Sequence, residues 1–460
     1  MSEAEKLERG LGLVEATSLN MTFMVGIGPF VVIPFVIDAM GGPGSLVAWA
    51  AGAALAVFDG CIWAELGAAM PQAGGSYVYL REAYGAQRWG RLLSFLFIWQ
   101  TLFQGPLSIA SGALGFATYS RYLVEKSSRA AALAGALGKH GDNVVAGAVI
   151  ILVVALLYRR IRDIGRLSIV FSVIVIGTIV WIIWGGAAHF DAQRVFDSSG
   201  GKWSFSWALF AALGHGMVQT IYSYLGYYNV CNLGGEMKNP EKNIPRAIFI
   251  SILGITALYL AMQTSILSVI PWREAAHSKF IVSTFVERAY GSQWAALATA
   301  LILLTALGSV FSAMLGYSRV PYAAALDKNF FSIFARLHPT KHFPYISLVA
   351  LGAAALLFSL LFSLISVIRA ILAMRCIIQF IGQGVGLIAL RRRWGSERLP
   401  FRMWLYPLPV AAAILGWIGI FISTGRTPML ASLAAATAGI LVYLGRARWM
   451  REWPFQEIAQ

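Results

Sequence analysis

Charged side chains are scarce in this sequence. Asp, Glu, Lys and Arg make up 12% of the 460 residues, whereas 58% of the residues are hydrophobic. Soluble domains carry about 25% charged residues. A chain of this composition cannot cover its surface with water-compatible side chains, which excludes a soluble globular protein. The scarcity of charge indicates that most of the chain lies within a lipid bilayer.

Cysteine is also rare, and the sequence lacks the short motifs of common enzyme classes. Its three cysteines, Cys61, Cys231 and Cys376, fall in separate apolar segments without disulfide or metal-ligand spacing. There is no HExxH motif, no paired histidine–carboxylate cluster and no glycine-rich nucleotide loop. We therefore expect a protein that is not an enzyme and has no metal site and no organic cofactor.

Long apolar segments dominate what is present. A helix needs about 20 apolar residues to cross a bilayer, and we count twelve candidates. The predicted fold is an all-α integral membrane protein with 12 transmembrane helices. The predicted segments are 17–40, 44–70, 90–118, 143–158, 164–186, 204–232, 247–270, 293–318, 344–363, 366–390, 407–423 and 428–445.

The basic residues are unevenly distributed. The formal net charge is +15, which by itself is also typical of nucleic-acid binding. If the N-terminus is cytoplasmic, however, Lys and Arg concentrate in the cytoplasmic loops, for example at 159–162 and 391–393. This pattern predicts a multi-pass protein of the cell inner membrane with both termini cytoplasmic. We expect contact with anionic lipid headgroups and no nucleic-acid partner.

Two of the apolar segments are interrupted near their middle. The first contains Val25-Gly26-Ile27-Gly28-Pro29, and the sixth contains the stretch 222–229, which reads YSYLGYYN. Non-helical backbone at membrane depth is tolerated only inside protein or beside a water-filled cavity. Two such breaks at corresponding places in two half-chains indicate the substrate site of a transporter.

Five motifs, the first of which overlaps the first break, resemble those of the amino acid–polyamine–organocation superfamily in the same order along the chain. The similarity covers nearly the whole chain and is strongest to the L-type amino acid transporters and their bacterial relatives. The matching stretches are 26–30, 71–80, 234–247, 318–323 and 400–409.

This resemblance implies a LeuT-like fold with two inverted five-helix repeats and broken helices 1 and 6. The repeats would span 1–186 and 204–390, and two peripheral helices would span 407–445. The implied function is secondary active transport of amino acids by alternating access, often as exchange. No residue-level identity links the two halves, so the predicted repeat depends on the positions of the breaks.

The first break supplies a chemical rationale for binding an amino acid. The N-terminus of a half-helix offers free N–H groups and a partial positive charge, so we expect the amides of Gly26, Ile27 and Gly28 to bind the carboxylate. The alternative is that these glycines only permit close helix packing. Matching to the family places the ammonium group and a closing aromatic ring at the second break and nearby. The residues concerned are Met24, Tyr222, Tyr224, Leu225 and Gly226.

Tyr228 bears on the substrate class. Some members of the superfamily have an acidic residue or an asparagine where Tyr228 stands, so this chain lacks an obvious partner for a cationic substrate. We therefore favour neutral L-amino acids, and the alternative is a polyamine or another organic amine. Gln104 lies on a polar stripe of span three and is a further substrate-binding candidate, with interhelical hydrogen bonding as the alternative.

The coupling mechanism stays open between exchange, protons and sodium. Asp59 and His215 are candidate proton carriers, although either can be a structural hydrogen-bonding residue. Ser309 and Ser312 are candidate sodium ligands. Some relatives have a lysine in span five, where our alignment places Val175.

The remaining predictions concern gating residues, one surface helix and a covalent partner. Gln219 shares a helix face with His215 and Tyr222, and Glu236 is a candidate for the inner gate or for a salt bridge with Lys238. We expect the stretch 71–89 to form a helix on the membrane surface. No predicted outward loop contains a cysteine, so no covalently attached glycoprotein is expected.

Overall fold

The computed structural model describes four stretches of the chain: 7–125, 141–197, 207–361 and 364–455. Residues 204–206 and 362–363, which belong to the predicted sixth and ninth spans, lie outside these stretches. The described helices are α1 (Leu13–Met24), α2 (Gly28–Met40), α3 (Ser45–Ala69), α4 (Ser76–Ala83), α5 (Trp89–Glu125), α6 (Gly141–Leu157), α7 (Ile161–Ala188), α8 (Ala192–Val195), α9 (Trp207–Tyr224), α10 (Asn229–Asn232), α11 (Pro240–Val269), α12 (Trp272–Ala275), α13 (Ile281–Tyr290), α14 (Ser292–Tyr317), α15 (Arg319–Leu326), α16 (Tyr345–Leu361), α17 (Leu364–Arg375), α18 (Gly382–Trp394), α19 (Leu408–Ser423) and α20 (Arg426–Met450).

The helices confirm an all-α membrane protein. Within the described residues, seven helical stretches are long and apolar enough to cross a bilayer, and α1 with α2 makes an eighth. Three further apolar helices, α6, α16 and α19, are shorter. The only extended pairings in this part of the chain are single bridges, which join Leu11 to Met237 and Ala73 to Leu233.

The first break lies where the sequence predicts it. Helix α1 ends at Met24, and α2 begins at Gly28 with Pro29 in its first turn, where a missing N–H costs little. The two helices are bent by 47° relative to each other. Three residues, Val25, Gly26 and Ile27, form the non-helical link between them.

The second break separates α9 from the short helix α10. Gly226 has φ +126°, a conformation that L side chains rarely adopt. A Cβ atom at this position would lie 3.0 Å from the backbone nitrogen of Met24. The two breaks are therefore in contact near the centre of the protein.

Neighbouring helices hold these breaks in place. Helix α1 packs against α7, α11 and α14, and α9 packs against α2 and α3. Helix α5 packs against α14 and α17, which completes a second wall beside the breaks. Both breaks thus lie among several packed helices.

Helix α4 differs from the prediction for the stretch 71–89. We expected a helix lying along the membrane surface, but most of α4 is buried, including Tyr77, Tyr79 and Leu80. The helix packs against α5 and α18. Its apolar face covers protein and not lipid, a distinction that an amphipathic pattern cannot make.

Candidate substrate site

A small cavity lies between the first break and helices α5, α14 and α17. Its volume is about 40 Å³, which is room for about three water molecules. Both glycines of the first break line it, as do serines from three helices and one arginine. The lining residues are Phe23, Met24, Gly26, Ile27, Gly28, Ser108, Ser111, Gly112, Tyr222, Ser223, Leu225, Ser309, Val310, Ala313, Ile371 and Arg375.

The backbone amides of the first break are free to bind an anion. Within the described part of the chain, the N–H groups of Gly26, Ile27 and Gly28 donate no hydrogen bond. The first bond of α2 runs from the Val31 N–H to the Ile27 carbonyl oxygen, over 3.1 Å. Buried backbone donors are almost always paired, so three unpaired amides at one cavity mark a site for an acceptor such as a carboxylate.

Tyr259 links the carbonyl groups of the two breaks. Its buried hydroxyl oxygen lies 2.8 Å from the carbonyl oxygen of Met24 and 3.1 Å from that of Ser223. A hydroxyl group has one proton to donate, and each carbonyl oxygen can accept two hydrogen bonds. Met24, which lines the cavity, therefore keeps acceptor capacity for an ammonium group.

Tyr222 closes one side of the cavity. Its hydroxyl oxygen lies 3.1 Å from Ser111 Oγ on α5, and its ring lies over Gly28. A Cβ atom at Gly28 would be 3.2 Å from Tyr222 Cε1. The ring and the break are thus close enough for small movements of α9 to change access to the amides.

Arg375 places a positive charge at the cavity wall. The side chain is 1% exposed, and its Nε donates to Gln104 Oε1 over 2.7 Å. The guanidinium group also donates to Ser108 Oγ over 2.9 Å and to the hydroxyl oxygens of Tyr228 and Tyr317. Gln104 and Tyr228 therefore contribute to the site through Arg375 and do not line the cavity themselves.

Two other predicted substrate residues lie outside the cavity lining. The Tyr224 hydroxyl donates to the Trp49 carbonyl oxygen over 3.3 Å, away from the cavity. Gly226 shapes the second break but does not border the cavity. Tyr222 and Leu225 are the predicted residues of this break that line it.

The comparison with known families decides the identity of this architecture. A family model described as amino acid permease matches residues 11–443, nearly the whole chain. The chain belongs to the amino acid permease family. This confirms the resemblance to the amino acid–polyamine–organocation superfamily, and the protein is a transporter and not an enzyme.

Several characterised transporters are similar to this permease. The serine/threonine exchanger SteT of Bacillus subtilis is 27% identical, covering 96% of this chain and 98% of that protein. The human cystine/glutamate transporter is 26% identical, covering 88% of this chain and 78% of that protein. Human cationic amino acid transporter 4 is 25% identical, covering 84% of this chain and 60% of that protein. The substrates in these names differ, so the similarity identifies amino acid transport and leaves the substrate class open.

In this permease Asp59 is buried beside the second break. The Tyr227 hydroxyl donates to its Oδ2 over 2.5 Å, and Trp417 Nε1 donates to its Oδ1 over 3.0 Å. No basic side chain in the described residues forms an ion pair with Asp59. These hydroxyl and indole partners match the interpretation of Asp59 as a structural hydrogen-bonding residue. A role of Asp59 in proton coupling stays a prediction.

The remaining polar candidates of α9 lie away from the cavity. His215 is exposed, and its Nδ1 is 2.8 Å from the Ala211 carbonyl oxygen. Gln219 is half-buried and does not line the cavity. The structure therefore brings neither residue into contact with the substrate site.

Ser309 and Ser312 tie helix α14 to the end of α1. Ser309 Oγ donates to the Phe23 carbonyl oxygen over 3.2 Å, and Ser312 Oγ donates to that of Leu19 over 2.6 Å. Of the two serines, Ser309 lines the cavity. Among the described residues no group of three His, Cys, Asp or Glu side chains is arranged to hold a metal ion.

Glu236 forms a buried ion pair, but with a different partner from the one predicted. Its carboxylate accepts from Arg319 Nε over 2.9 Å and from Nη2 over 2.7 Å, and both side chains are at most 1% exposed. Lys238 therefore does not pair with it. The Glu236 carbonyl oxygen also accepts from the amides of Gly10 and Leu11, so Glu236 joins the segment at 10–11 to the start of α15, where Arg319 lies.

Sequence reasoning missed several residues that shape the site. Tyr259 and Asn20 are buried polar side chains within apolar segments, and that position was the available signal. Asn20 Nδ2 donates to the Tyr227 carbonyl oxygen over 2.6 Å, and its Oδ1 accepts from the Val230 amide over 2.9 Å. Arg375 is a third buried polar residue within an apolar segment, and the sequence alone assigned it no role in substrate binding.

Proposed function

We propose that this permease carries an α-amino acid across the cell inner membrane by alternating access, using the cavity at the two breaks as its central site. The observation that carries the proposal is the set of three unpaired amides at Gly26, Ile27 and Gly28, beside the Met24 carbonyl group. Together they match the carboxylate and the ammonium group of a zwitterion.

The size of the cavity supports alternating access. About 40 Å³ is too little space for an amino acid, so the walls must move apart for loading and release. Tyr222 and Ser111 form a polar contact on one wall, and the buried Glu236–Arg319 pair is a second candidate lock. We propose that these contacts open in turn.

The wider topology is part of the same proposal. It has twelve spans, inverted repeats over 1–186 and 204–390, peripheral helices over 407–445, and both termini in the cytoplasm. The two contacting breaks support the repeat arrangement, and the concentration of basic residues in one set of loops supports the orientation.

An organic amine remains the second candidate cargo, but Arg375 weighs against it. A buried guanidinium group at the cavity wall repels a cationic substrate. We expect putrescine to compete poorly with amino acids for uptake.

The test is uptake of a labelled amino acid mixture into proteoliposomes, with and without unlabelled amino acids inside, at symmetric pH and without sodium. Uptake confined to preloaded vesicles supports exchange. Uptake that appears only with an imposed proton or sodium gradient supports ion coupling. Absence of uptake under all of these conditions, with putrescine transported instead, would overturn the amino acid assignment.

A further inference from the structure

Arg375 differs from two other arginines of the described residues, the buried Arg319 and the partly buried Arg391. Arg319 is paired with Glu236, and Arg391 is paired with Glu65. Within the described residues no carboxylate forms an ion pair with Arg375, which is 1% exposed. Burying a charge without a counter-charge costs several kcal/mol. An unpaired arginine inside a membrane domain therefore needs an explanation beyond folding.

The neighbours of Arg375 position the guanidinium group without neutralising it. A guanidinium group has five N–H donors, and four of them are used by neutral oxygens. The acceptors belong to Gln104, Ser108, Tyr228 and Tyr317. The fifth N–H, on Nη1, has no acceptor in the described part of the chain. The group is thus held in a fixed orientation with its charge and one donor available.

The location of Arg375 places this charge at the proposed substrate site. Arg375 borders the same small cavity as the free amides of Gly26, Ile27 and Gly28. A π-helical turn begins directly after it, at Cys376, and such turns often occur at functional sites. Once the walls have moved apart to admit an amino acid, the substrate meets two separate anion-binding features of this cavity, the amides and the guanidinium group.

We propose that Arg375 binds a carboxylate in the side chain of the substrate, and that this permease carries an acidic amino acid. The inference rests on the proposed transport function and sharpens its substrate class. The α-carboxylate binds the amides of the first break, and the side-chain carboxylate supplies the counter-charge that Arg375 lacks. This differs from the neutral substrate that Tyr228 suggested in the sequence. Tyr228 is itself one of the neutral groups that orient Arg375.

The test compares substrates that differ only in charge. Proteoliposomes containing the wild-type protein are preloaded with unlabelled amino acids, and uptake of a labelled amino acid mixture is measured. Competing L-glutamate is compared with L-glutamine, and L-aspartate with L-asparagine. We expect the acidic member of one or both pairs to inhibit at concentrations about 10-fold lower or more. If L-glutamine and L-asparagine compete as well as L-glutamate and L-aspartate, or better, the inference is overturned while the transport function stands.

A variant tests the role of the residue itself. Arg375→Gln should abolish the preference for the acidic member while leaving uptake of the neutral member measurable. Arg369→Gln is the matched control, since Arg369 is an exposed arginine on the same helix. Thermal unfolding in detergent shows whether each variant is folded, and the wild-type competition remains decisive if Arg375→Gln is not.

Two further outcomes separate the possible failures. If Arg375→Gln lowers uptake of acidic and neutral amino acids equally, Arg375 has a structural role or binds the α-carboxylate, and the inference is overturned. If the wild-type protein transports no amino acid, the proposed function fails first and the inference fails with it.

Discussion

The contact between Gly26 and Ser309 gives the sharpest test of the first break as a binding site. A Cβ atom built on Gly26 would lie 2.7 Å from Ser309 Cβ, and real Cβ atoms essentially never approach another atom closer than 3.0 Å. Gly26→Ala therefore forces the break and α14 apart. Overpacking of this kind costs about 1–3 kcal/mol. If that cost falls on the bound state, the apparent affinity for substrate drops about 5- to 150-fold.

The assay is the concentration dependence of exchange in proteoliposomes, together with thermal unfolding of the purified protein. Gly177→Ala is the matched control, because Gly177 is also a glycine of an apolar segment and no heavy atom lies within 4 Å of the position that its Cβ atom would take. We expect Gly177→Ala to keep the wild-type affinity. An unchanged affinity in Gly26→Ala would refute the assignment of this break to substrate binding.

A second substitution tests the physical cause. Ser309→Gly, combined with Gly26→Ala, removes both the hydroxyl group and the Cβ atom that clash with an alanine at position 26. This double variant should therefore regain part of the affinity that Gly26→Ala loses. Ser309→Ala, combined with Gly26→Ala, removes the hydroxyl oxygen but leaves the Cβ atom at 2.7 Å, so it should restore less of the affinity. Equal behaviour of the two double variants would show that steric overlap with Ser309 is not the cause. Glycine within α14 carries its own cost of about 1 kcal/mol, so the rescue should be incomplete.

Three further predictions concern the surroundings of the site. Glu236→Gln should lower the free energy of unfolding by about 3–5 kcal/mol, because the charge of Arg319 stays buried without its partner. Adding Arg319→Gln should recover part of this loss. A double variant that is no more stable than Glu236→Gln would contradict this reasoning. Asp59→Asn should leave the pH profile of uptake unchanged if Asp59 is a hydrogen-bond acceptor only, and a flattened profile would show that it carries protons. Tyr259→Phe should lower the unfolding temperature, because it removes a buried hydrogen bond between the two breaks that contributes about 1 kcal/mol to stability. An unfolding temperature equal to that of the wild type would contradict this role.

The sequence by itself determined the membrane class, the first break and the family. These features are local, because apolar length and the pattern Gly26-Ile27-Gly28-Pro29 act on the backbone within one segment. The structure places the break at the same residues and leaves the same three amides unpaired. The twelve-span count, the inverted repeats and the site roles of individual side chains stay predictions.

Only the tertiary structure decided which side chains meet. Gln104 and Arg375 are 271 positions apart, and Asp59 and Trp417 are 358 positions apart. Nothing in the periodicity of a single helix specifies a contact over such separations, which depend on how the helices pack. For the same reason the sequence offered Lys238 as a possible partner of Glu236, whereas the structure pairs Glu236 with Arg319. Arg375 borders the cavity only because the helix packing brings the end of α17 beside the first break. The same packing decides that its neighbours are neutral oxygens and not carboxylates.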